Sequence, residues 1–586
     1  MKSIYRYLRP KEWALAGVVI AFVIIQTWFA LELPERMFII TKLVQTPDSP
    51  INEVWKEGMY MIVCAIGSFL ATVAARYAAS RVAAVFSQRL RSMQFSKVSL
   101  FSMNEINKFS IASLITRSTN DVTQVQVAFT AALQAVTMAP ILAAGAFLKI
   151  WGMGFEWTLA TSISLVCIVA LFILTLVLVM PKFKMMQSLT DNINRVAREG
   201  ITGLSVIRAY NAEDYQKIKF ERANEELTGT TLYTTRAMAA LMPAIALIMN
   251  GLLIAIYWIG AIVISSAGSD EVLTLFSNMV VLSSYAAQIV MAIMTAMSFF
   301  IMIPRAQVAA KRINDVINTE PSIKGGTVIS GNPNLKGTVE FRNVCFRYPG
   351  ATDYALRDVN FTAKQGETIA FIGSTGSGKS TLINLVPRLC DVTEGQILID
   401  GVDVREYSLE ALYDKIGYVP QRSVLFSGTV TSNVAFGGNS SHESTDNDVK
   451  NAVRTAQGQD FVEKMDGRYE SEISRSGINL SGGQKQRLSI ARAVYKRPEI
   501  YIFDDSFSAI DYKTDRALRT ALKKEARGVT SMIVAQRIGT IMDADRIVVL
   551  DKGRIVGIGN HRGLLRTCSV YKEIAMSQFN EGELET

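Results

Sequence analysis

The chain has 586 residues, more than a single domain usually contains, and this length predicts at least two folding units. Apolar residues make up 49% of the sequence and crowd its first half, so we expect that half to lie partly in lipid. The formal net charge of +9 does not indicate a nucleic-acid partner, because a multi-spanning protein collects Lys and Arg in its cytoplasmic loops. The five cysteines show no metal-ligand spacing, so neither a zinc site nor a disulfide framework is indicated.

The first half contains six stretches without a charged residue. Each is long enough to cross a hydrocarbon core of about 30 Å, which needs roughly 20 helical residues. The predicted spans are Trp13–Leu31, Gly58–Ala75, Val122–Leu148, Trp157–Met180, Ala237–Ser269 and Val272–Pro304.

The connections between the spans differ in length and charge. Segments 76–121 and 181–236 are long and rich in Lys and Arg, whereas 152–156 and 265–271 contain neither residue. Positive residues collect on the cytoplasmic side, so we expect both termini to be cytoplasmic. The composition of the long connections is helical, which predicts that the spans continue as helices below the membrane.

Polar amides within the spans must find partners or water, and they either join helices or line a path through the membrane. They are Gln26, Gln134, Asn250, Asn278 and Gln288. The sixth span also offers a soft apolar surface, which suits promiscuous binding of apolar compounds as well as it suits ordinary packing. Its residues are Met291, Met294, Met297, Phe299, Phe300 and Met302.

A phosphate-binding loop follows in the second half. The sequence ETIAFIGSTGSGKST, from Glu367 to Thr381, gives an apolar strand, a glycine-rich turn and the start of a helix. Backbone N–H groups of such a turn surround phosphates, Lys379 neutralises their charge, and Ser380 reaches Mg²⁺. The predicted nucleotide-binding residues are Gly373, Ser374, Thr375, Gly376, Ser377, Gly378, Lys379, Ser380 and Thr381.

Two further motifs lie downstream. The strand EIYIFDD ends in two carboxylates, which places Asp504 where Mg²⁺ needs an acceptor and Asp505 beside the attacking water. LSGGQKQR, from Leu480 to Arg487, precedes that strand and separates this chain from other phosphate-loop proteins.

With these motifs the chain resembles the ATP-binding cassette family, in the exporter half-transporter arrangement of six spans followed by one cassette. The resemblance implies ATP and Mg²⁺ as cofactors and a second half-transporter as partner. It also implies that Ser481, Gly482, Gly483 and Gln484 bind nucleotide held by the partner's phosphate loop, across a dimer interface.

Other positions resemble family elements in the expected order. Tyr348 in FRYP is similar to the aromatic that stacks on adenine, and Gln421 in YVPQ to the loop glutamine that senses Mg²⁺ and the membrane domain. Ser508–Asp511 (SAID) resembles the loop that crosses to the opposite site. Leu114–Val122 and Gly200–Asp214 resemble the two cytoplasmic turns that press on the cassettes, with Tyr210 as a docking aromatic.

The sequence departs from the family at three positions. Asp505 stands where the catalytic base is usually Glu, Gln536 stands where the switch residue is usually His, and Arg475 stands where relatives commonly place Glu. Gln421, Asp505 and Gln536 are therefore the predicted catalytic residues, and Ser380, Gln421 and Asp504 the predicted metal ligands. His561 resembles a different element and does not replace the switch histidine.

The nucleotide site of this chain's own phosphate loop is altered at Asp505 and Gln536, whereas the signature motif LSGGQ (Leu480–Gln484) is intact. This combination resembles the degenerate-site subunit of heterodimeric bacterial multidrug exporters. We therefore expect an α-helical transmembrane domain over 1–305, a linker over 306–335 and an α/β nucleotide-binding domain over 336–586. The expected function is ATP-driven efflux of amphipathic or apolar compounds across the cytoplasmic membrane of a bacterium. Export of a lipid or peptide, siderophore import and an ATP-binding regulatory subunit remain alternatives.

Overall fold

The structure is a computed structural model that describes residues 2–46, 50–265, 268–438, 445–525 and 527–579. The chain divides into two compact units. The first comprises Met1–Val98 and Ala112–Thr319, and the second comprises Ser99–Ile111 and Glu320–Thr586. Residues 266 and 267, near the end of the fifth predicted span, lie outside the described residues.

The described part of the first unit consists of helices joined by short non-helical segments. Its helices are α1 (Lys2–Tyr5), α2 (Pro10–Gln45), α3 (Ile51–Val98), α5 (Ile111–Thr116), a π-helix (Arg117–Asp121), α6 (Val122–Trp151), α7 (Phe155–Thr202), α8 (Leu204–Ala209), α9 (Glu213–Ser265) and α10 (Ser269–Asn318). Within the described residues, six of these helical stretches are long and apolar enough to cross a membrane, which confirms the predicted number of spans. Helix α10 runs on to Asn318, so the start of the segment expected as a linker from residue 306 is helical.

Polar side chains join the membrane helices to one another. The Gln288 amide of α10 donates to the carbonyl of Ala30 over 2.9 Å, and the Tyr285 hydroxyl donates to the carbonyl of Leu31 over 3.0 Å. Of the two roles open to Gln288, joining helices is therefore the one that its contact supports. On the same helix, Met297 is buried, whereas Met291 and Phe300 are 60% and 55% exposed.

A separate short helix precedes the first segment that the sequence predicted to be a cytoplasmic turn. This helix is α4 (Met103–Phe109), and its N-terminus is closed by a reciprocal capping box between Ser102 and Glu105. Segment Leu114–Val122, expected as the turn, is instead the continuous helical run from α5 through the π-helix into α6. The prediction was wrong there, because the capping residues that start a new helix stand at Ser102. Helix α8 lies inside the second predicted turn, and Tyr210 directly after it is 80% exposed.

The second unit is an α/β domain. Its strands are β1 (Val339–Phe346), β2 (Leu356–Ala363), β3 (Thr368–Gly373), β4 (Glu394–Ile399), β5 (Val402–Asp403), β6 (Ile416–Val419), β7 (Gly428–Thr429), β8 (Glu472–Ile473), β9 (Ile500–Asp504), β10 (Thr530–Val534), β11 (Arg546–Asp551) and β12 (Arg554–Gly559). After α4, its helices are α11 (Lys379–Leu385), α12 (Leu409–Asp414), α13 (Val430–Ala435), α14 (Asp446–Thr455), α15 (Gln459–Val462), α16 (Gly482–Tyr495), α17 (Tyr512–Glu525), α18 (Ile538–Ile541), α19 (His561–Thr567) and α20 (Ser569–Met576).

A central sheet, traced over the described residues, has six strands in the order β12-β11-β3-β10-β9-β6, all parallel except β12. Successive residues of β3 face opposite sides: Ile369 and Phe371 join one apolar core, Ala370 and Ile372 the other. Both faces are therefore covered, as a mainly parallel sheet requires. An antiparallel sheet in the order β2-β1-β4-β5 contributes to the core that contains Phe371.

The strand order determines where the functional segments meet. Strands β3, β10, β9 and β6 are neighbours and run in the same direction, so their carboxyl ends lie at one edge of the sheet. The phosphate loop, Gln536, Asp504–Asp505 and Gln421 follow these four strands directly. This edge is where open α/β sheets bind ligands.

Candidate functional site

The phosphate loop has a backbone that requires glycine at defined positions. Gly376 and Gly378 have φ of +82° and +97°, in the left-handed region that other residues avoid. A side chain on Gly373 would have its Cβ 2.1 Å from the carbonyl oxygen of Leu550, a distance that excludes any larger residue. The loop can therefore curl between β3 and α11 with its N–H groups available to an anion.

Lys379 begins α11 and lies inside the curl. Its Nζ donates to the carbonyl oxygens of Gly373 and Ser374, each over 2.8 Å, and lies 3.4 Å from the hydroxyl of Ser377. Burial lowers the pKa of Lys379, while the nearby carboxylates of Asp505 and Asp504 act in the opposite direction. Its bonds to neutral carbonyls do not neutralise the ammonium group, which therefore suits a phosphate.

Ser380 and Asp504 form a pair of oxygen donors at the carboxyl end of β9. The Ser380 hydroxyl donates to Asp504 Oδ1 over 2.9 Å. Burial raises the pKa of Asp504, the Ser380 hydrogen bond lowers it, and the adjacent Asp505 raises it further. A hydroxyl next to a buried carboxylate is the donor set that Mg²⁺ takes together with phosphate oxygens and water, so these residues fit that ion.

Asp505 accepts hydrogen bonds from amides on two neighbouring loops. Gln536 Nε2 donates to Asp505 Oδ2 over 2.8 Å, and the side chain of Gln421 also hydrogen-bonds this carboxylate. Burial raises the pKa of Asp505, and the bond from Gln421 partly opposes that effect. The backbone of Asp505 has φ of +47°, an uncommon conformation outside glycine. The three residues predicted to be catalytic are thus one hydrogen-bonded cluster.

Tyr348 lies beside the start of the phosphate-loop helix. Its hydroxyl is 2.9 Å from Thr381 Oγ1, and its ring packs edge-on against Phe346. The ring is 47% exposed and borders a cavity of about 1090 Å³ that is also lined by Asn107 and Tyr418. A flat aromatic face next to the phosphate loop can stack against a base.

The signature residues start helix α16. The Ser481 hydroxyl accepts from Gln484 N over 3.3 Å, and Gln484 Oε1 accepts from Ser481 N over 2.8 Å. The side chain of Gln484, predicted to bind nucleotide, is thus engaged in a capping box. The helical N–H groups of Gly482 and Gly483 have no acceptor within the helix, as at any helix start.

The signature helix also contacts the SAID loop. A Cβ on Gly483 would lie 3.0 Å from the carbonyl oxygen of Ala509, and the buried Gln486 accepts from Ala509 N over 3.1 Å. The sequence did not predict Gln486, since nothing in its local pattern indicates a partner in a distant loop.

Comparisons with known proteins agree with this geometry. The family model described as ABC transporter matches residues 356–508, and the one described as ABC transporter transmembrane region matches residues 17–302. An uncharacterized ABC transporter ATP-binding protein of Mycobacterium tuberculosis is 39% identical over 88% of this chain and 87% of its own length. One from Bacillus subtilis is 35% identical over 99% of both chains.

Two further similarities concern function and fold. An ATP-dependent lipid A-core flippase of Chromohalobacter salexigens is 29% identical over 99% of both chains. The solved structure of a bacterial Atm1-family ABC exporter with ATP bound superposes with a TM-score of 0.79. It is 24% identical and covers 97% of this chain and 99% of that one, so it shows the fold alone.

Removing the Lys379 ammonium should weaken ATP binding to this chain. For Lys379→Ala we expect the half-saturating concentration for photolabelling by azido-ATP to rise at least about tenfold, because a charge-assisted contact is lost. Lys464→Ala, which removes an exposed lysine of the same domain, is the matched control. Unchanged labelling of the Lys379→Ala chain would contradict the assignment of this loop.

Proposed function

The chain belongs to the ABC transporter family, and from this premise we propose that it is one subunit of a heterodimeric pump that expels amphipathic or apolar compounds. As a family member it is a multi-pass membrane protein with the ABC exporter fold and an ATPase coupled to transport. The further proposal is that ATP at this chain's own phosphate loop is hydrolysed slowly.

The observation that carries the slow-site proposal is the Asp505 carboxylate held by the amides of Gln536 and Gln421. Aspartate is one methylene shorter than glutamate, which withdraws the carboxylate by about 1.5 Å. A displacement of about 1 Å can cost about 100-fold in rate. The handicap that we propose is the position of the carboxylate and not its basicity, because burial raises the pKa of Asp505 and the hydrogen bond from Gln421 opposes this only in part.

Gln536 is a second reason to expect slow hydrolysis at this site. Its amide can hydrogen-bond a γ-phosphate, but unlike the histidine usual in the family it cannot carry positive charge. In this structure its Nε2 is already engaged with Asp505 at 2.8 Å. Charge that develops on the transferred phosphoryl group is therefore stabilised less than it would be by an imidazolium.

Nucleotide binding at this site, in contrast, is proposed to be intact. The phosphate loop and Lys379 would hold the phosphates, Tyr348 would stack on adenine, and Ser380, Asp504 and Gln421 would surround Mg²⁺. The ion, when bound, supplies charge neutralisation between the phosphate oxygens. We propose a site that retains ATP better than it turns it over.

The altered residues at positions 505 and 536, combined with an intact signature, favour a heterodimer over a homodimer. If the chain had simply lost its function, it would not need to keep the capping box at Ser481–Gln484 or the close approach of Gly483 to Ala509. If cassettes associate head to tail, this signature completes the nucleotide site of the partner, and the partner's signature completes the site described here.

Membrane placement follows from charge. The basic segments 76–121 and 181–236 favour the cytoplasm, so we propose that both termini and the nucleotide-binding domain are cytoplasmic, in the inner membrane of a bacterium. The membrane-spanning part is therefore proposed to contact lipid. Nucleic acid is not a proposed partner.

The proposed substrate is apolar or amphipathic, supported by the exposed Met291 and Phe300 of α10. A lipid is the second candidate, because several relatives are named lipid A-core flippases. Peptide export, siderophore import and a purely regulatory role have no specific contact in their favour.

Transport into inside-out vesicles separates these functions. We expect vesicles that contain the heterodimer to accumulate apolar dyes when ATP is added, and heterodimer with Ser481→Ala to accumulate far less. Movement of a fluorescent lipid but no dye would favour the lipid candidate instead. ATP binding with no transport of either would contradict efflux and indicate a regulatory subunit.

Restoring the longer base should help only in part. For Asp505→Glu we expect steady-state ATPase of the purified heterodimer to rise a few fold, well short of the roughly 100-fold a misplaced base can cost, because Gln536 remains. Asp505→Glu with Gln536→His should exceed the single variant, provided that the partner's signature is intact. High turnover from Asp505→Glu alone would show that Gln536 is not limiting.

Damage to the signature should exceed damage to the altered base. For Ser481→Ala we expect heterodimer ATPase to fall about 10² to 10³-fold, because donors at a closed phosphate site are lost, whereas Asp505→Ala should cost much less. Ser408→Ala, which removes the N-cap of α12, is a matched control for lost capping. A larger loss from Asp505→Ala than from Ser481→Ala would contradict the heterodimer proposal.

A further inference from the structure

The described C-terminal residues pack against the segment that carries Gln536. Helix α20 is anchored by Tyr571 and Ala575, both fully buried, in the apolar core that also contains Ile538. The Tyr571 hydroxyl lies 2.7 Å from Nδ1 of His561, which fixes α20 to α19. The chain then turns, with the N–H groups of Gln578 and Phe579 both donating to the carbonyl of Ala575. This turn leaves the Gln578 side chain facing the start of α18.

Gln578 makes a two-sided contact with the backbone on either side of Arg537. Its Oε1 accepts from Ile538 N over 2.8 Å, and its Nε2 donates to the carbonyl oxygen of Gln536 over 2.8 Å. Each end of the amide is thus satisfied by a main-chain group, and both bonds have ordinary length. We call residues Gln536–Ile538 the switch segment.

The contact replaces a cap that the switch segment lacks. Arg537 is the N-cap residue of α18, yet its side chain makes no capping hydrogen bond. The first N–H groups of a helix need an acceptor from outside it, and Gln578 supplies one for Ile538. Phe579 adds an apolar contact, since it packs against the core that contains Ile538.

The backbone held in this way directs side chains toward the site. From the switch segment, Gln536 donates to Asp505 and Arg537 Nη2 lies 3.4 Å from the carbonyl oxygen of Ser508. If the main chain at Gln536–Ile538 shifted, the amide of Gln536 would lose its hydrogen bond to Asp505. A displacement of about 1 Å is enough to matter at a reacting centre.

We propose that Gln578 is a positioning residue for the switch position: it fixes the backbone of the switch segment so that Gln536 can reach the γ-phosphate of ATP. The proposal rests on the proposed role of Gln536 at that phosphate. Because only ATP has a γ-phosphate, the effect of Gln578 falls on the preference for ATP over ADP and spares the affinity for ADP.

The test compares ATP with ADP as competitors of azido-ATP labelling of this chain, in the full-length chain within its membrane complex. Gln578→Met keeps the side-chain length and removes both hydrogen bonds. We expect it to lower the preference for ATP over ADP about tenfold, the size of one charge-assisted hydrogen bond, with ADP affinity unchanged. Lys572→Met, at an exposed position of α20 just before Gln578 in the chain, should leave the preference unchanged.

A double variant shows whether Gln578 acts through Gln536. Gln536→Ala alone should lower the preference by a similar factor, and Gln578→Met should add nothing to it. If Gln536→Ala lowers the preference but Gln578→Met does not, the positioning role is overturned while the switch assignment stands. If neither variant changes it, the switch assignment fails and the positioning role with it.

Hydrogen exchange checks the contact itself. Loss of the acceptor should speed amide exchange in residues 536–541 of Gln578→Met, because the N–H of Ile538 loses its partner. Unchanged exchange in this segment would overturn the proposal. A general loss of thermal stability, with the ATP preference intact, would show that Gln578 is only structural and would overturn it as well.

Discussion

The slow nucleotide site that we propose depends on the hydrogen bonds to the Asp505 carboxylate. A carboxylate at this position activates water only when it is free to accept a proton from it. Here the amides of Gln536 and Gln421 donate to it, and neither amide can become charged. The same loops that surround the proposed nucleotide site thereby hold this carboxylate in a fixed position. The binding and the slow turnover that we propose would both depend on this one set of contacts.

Sheet topology makes that arrangement possible. Strand β10 lies between β3 and β9, and β6 lies on the far side of β9, so four loops distant in sequence meet at one edge. Five consecutive buried residues in β9 and in β10 keep this edge rigid. Ser506, fully buried, donates to the carbonyl of Val419 and so ties the loop after β9 to the end of β6. The loops after β9 and β6 are therefore joined directly beside the proposed site.

Much of this organisation is legible in the sequence. The six spans follow from length and lack of charge, and the phosphate loop follows from glycines whose positions the backbone requires at Gly376 and Gly378. The cluster of Gln421, Asp505 and Gln536 could be expected from the family resemblance, although the bonds between them could not. Local patterns of this kind are reliable because each is imposed by neighbouring residues.

Other features depend on contacts between distant residues and could not be predicted. The short helix α4 forms before the expected turn because Ser102 and Glu105 close its N-terminus, while the expected segment continues as helix. The Gln484 side chain takes part in a capping box with Ser481, a local contact. The family resemblance had predicted only that Gln484 binds nucleotide. Gln578 meets the switch segment from about forty positions away, and its own surroundings in sequence carry no motif.

We propose that this chain's own site holds ATP through cycles in which its partner's site hydrolyses it. Photolabelling during steady turnover measures this directly, with azido-ATP that carries its radioactive label either on the α- or on the γ-phosphate. We expect this chain to retain the γ-label almost as fully as the α-label, and the partner to retain chiefly the α-label. Equal loss of the γ-label from both chains would contradict it.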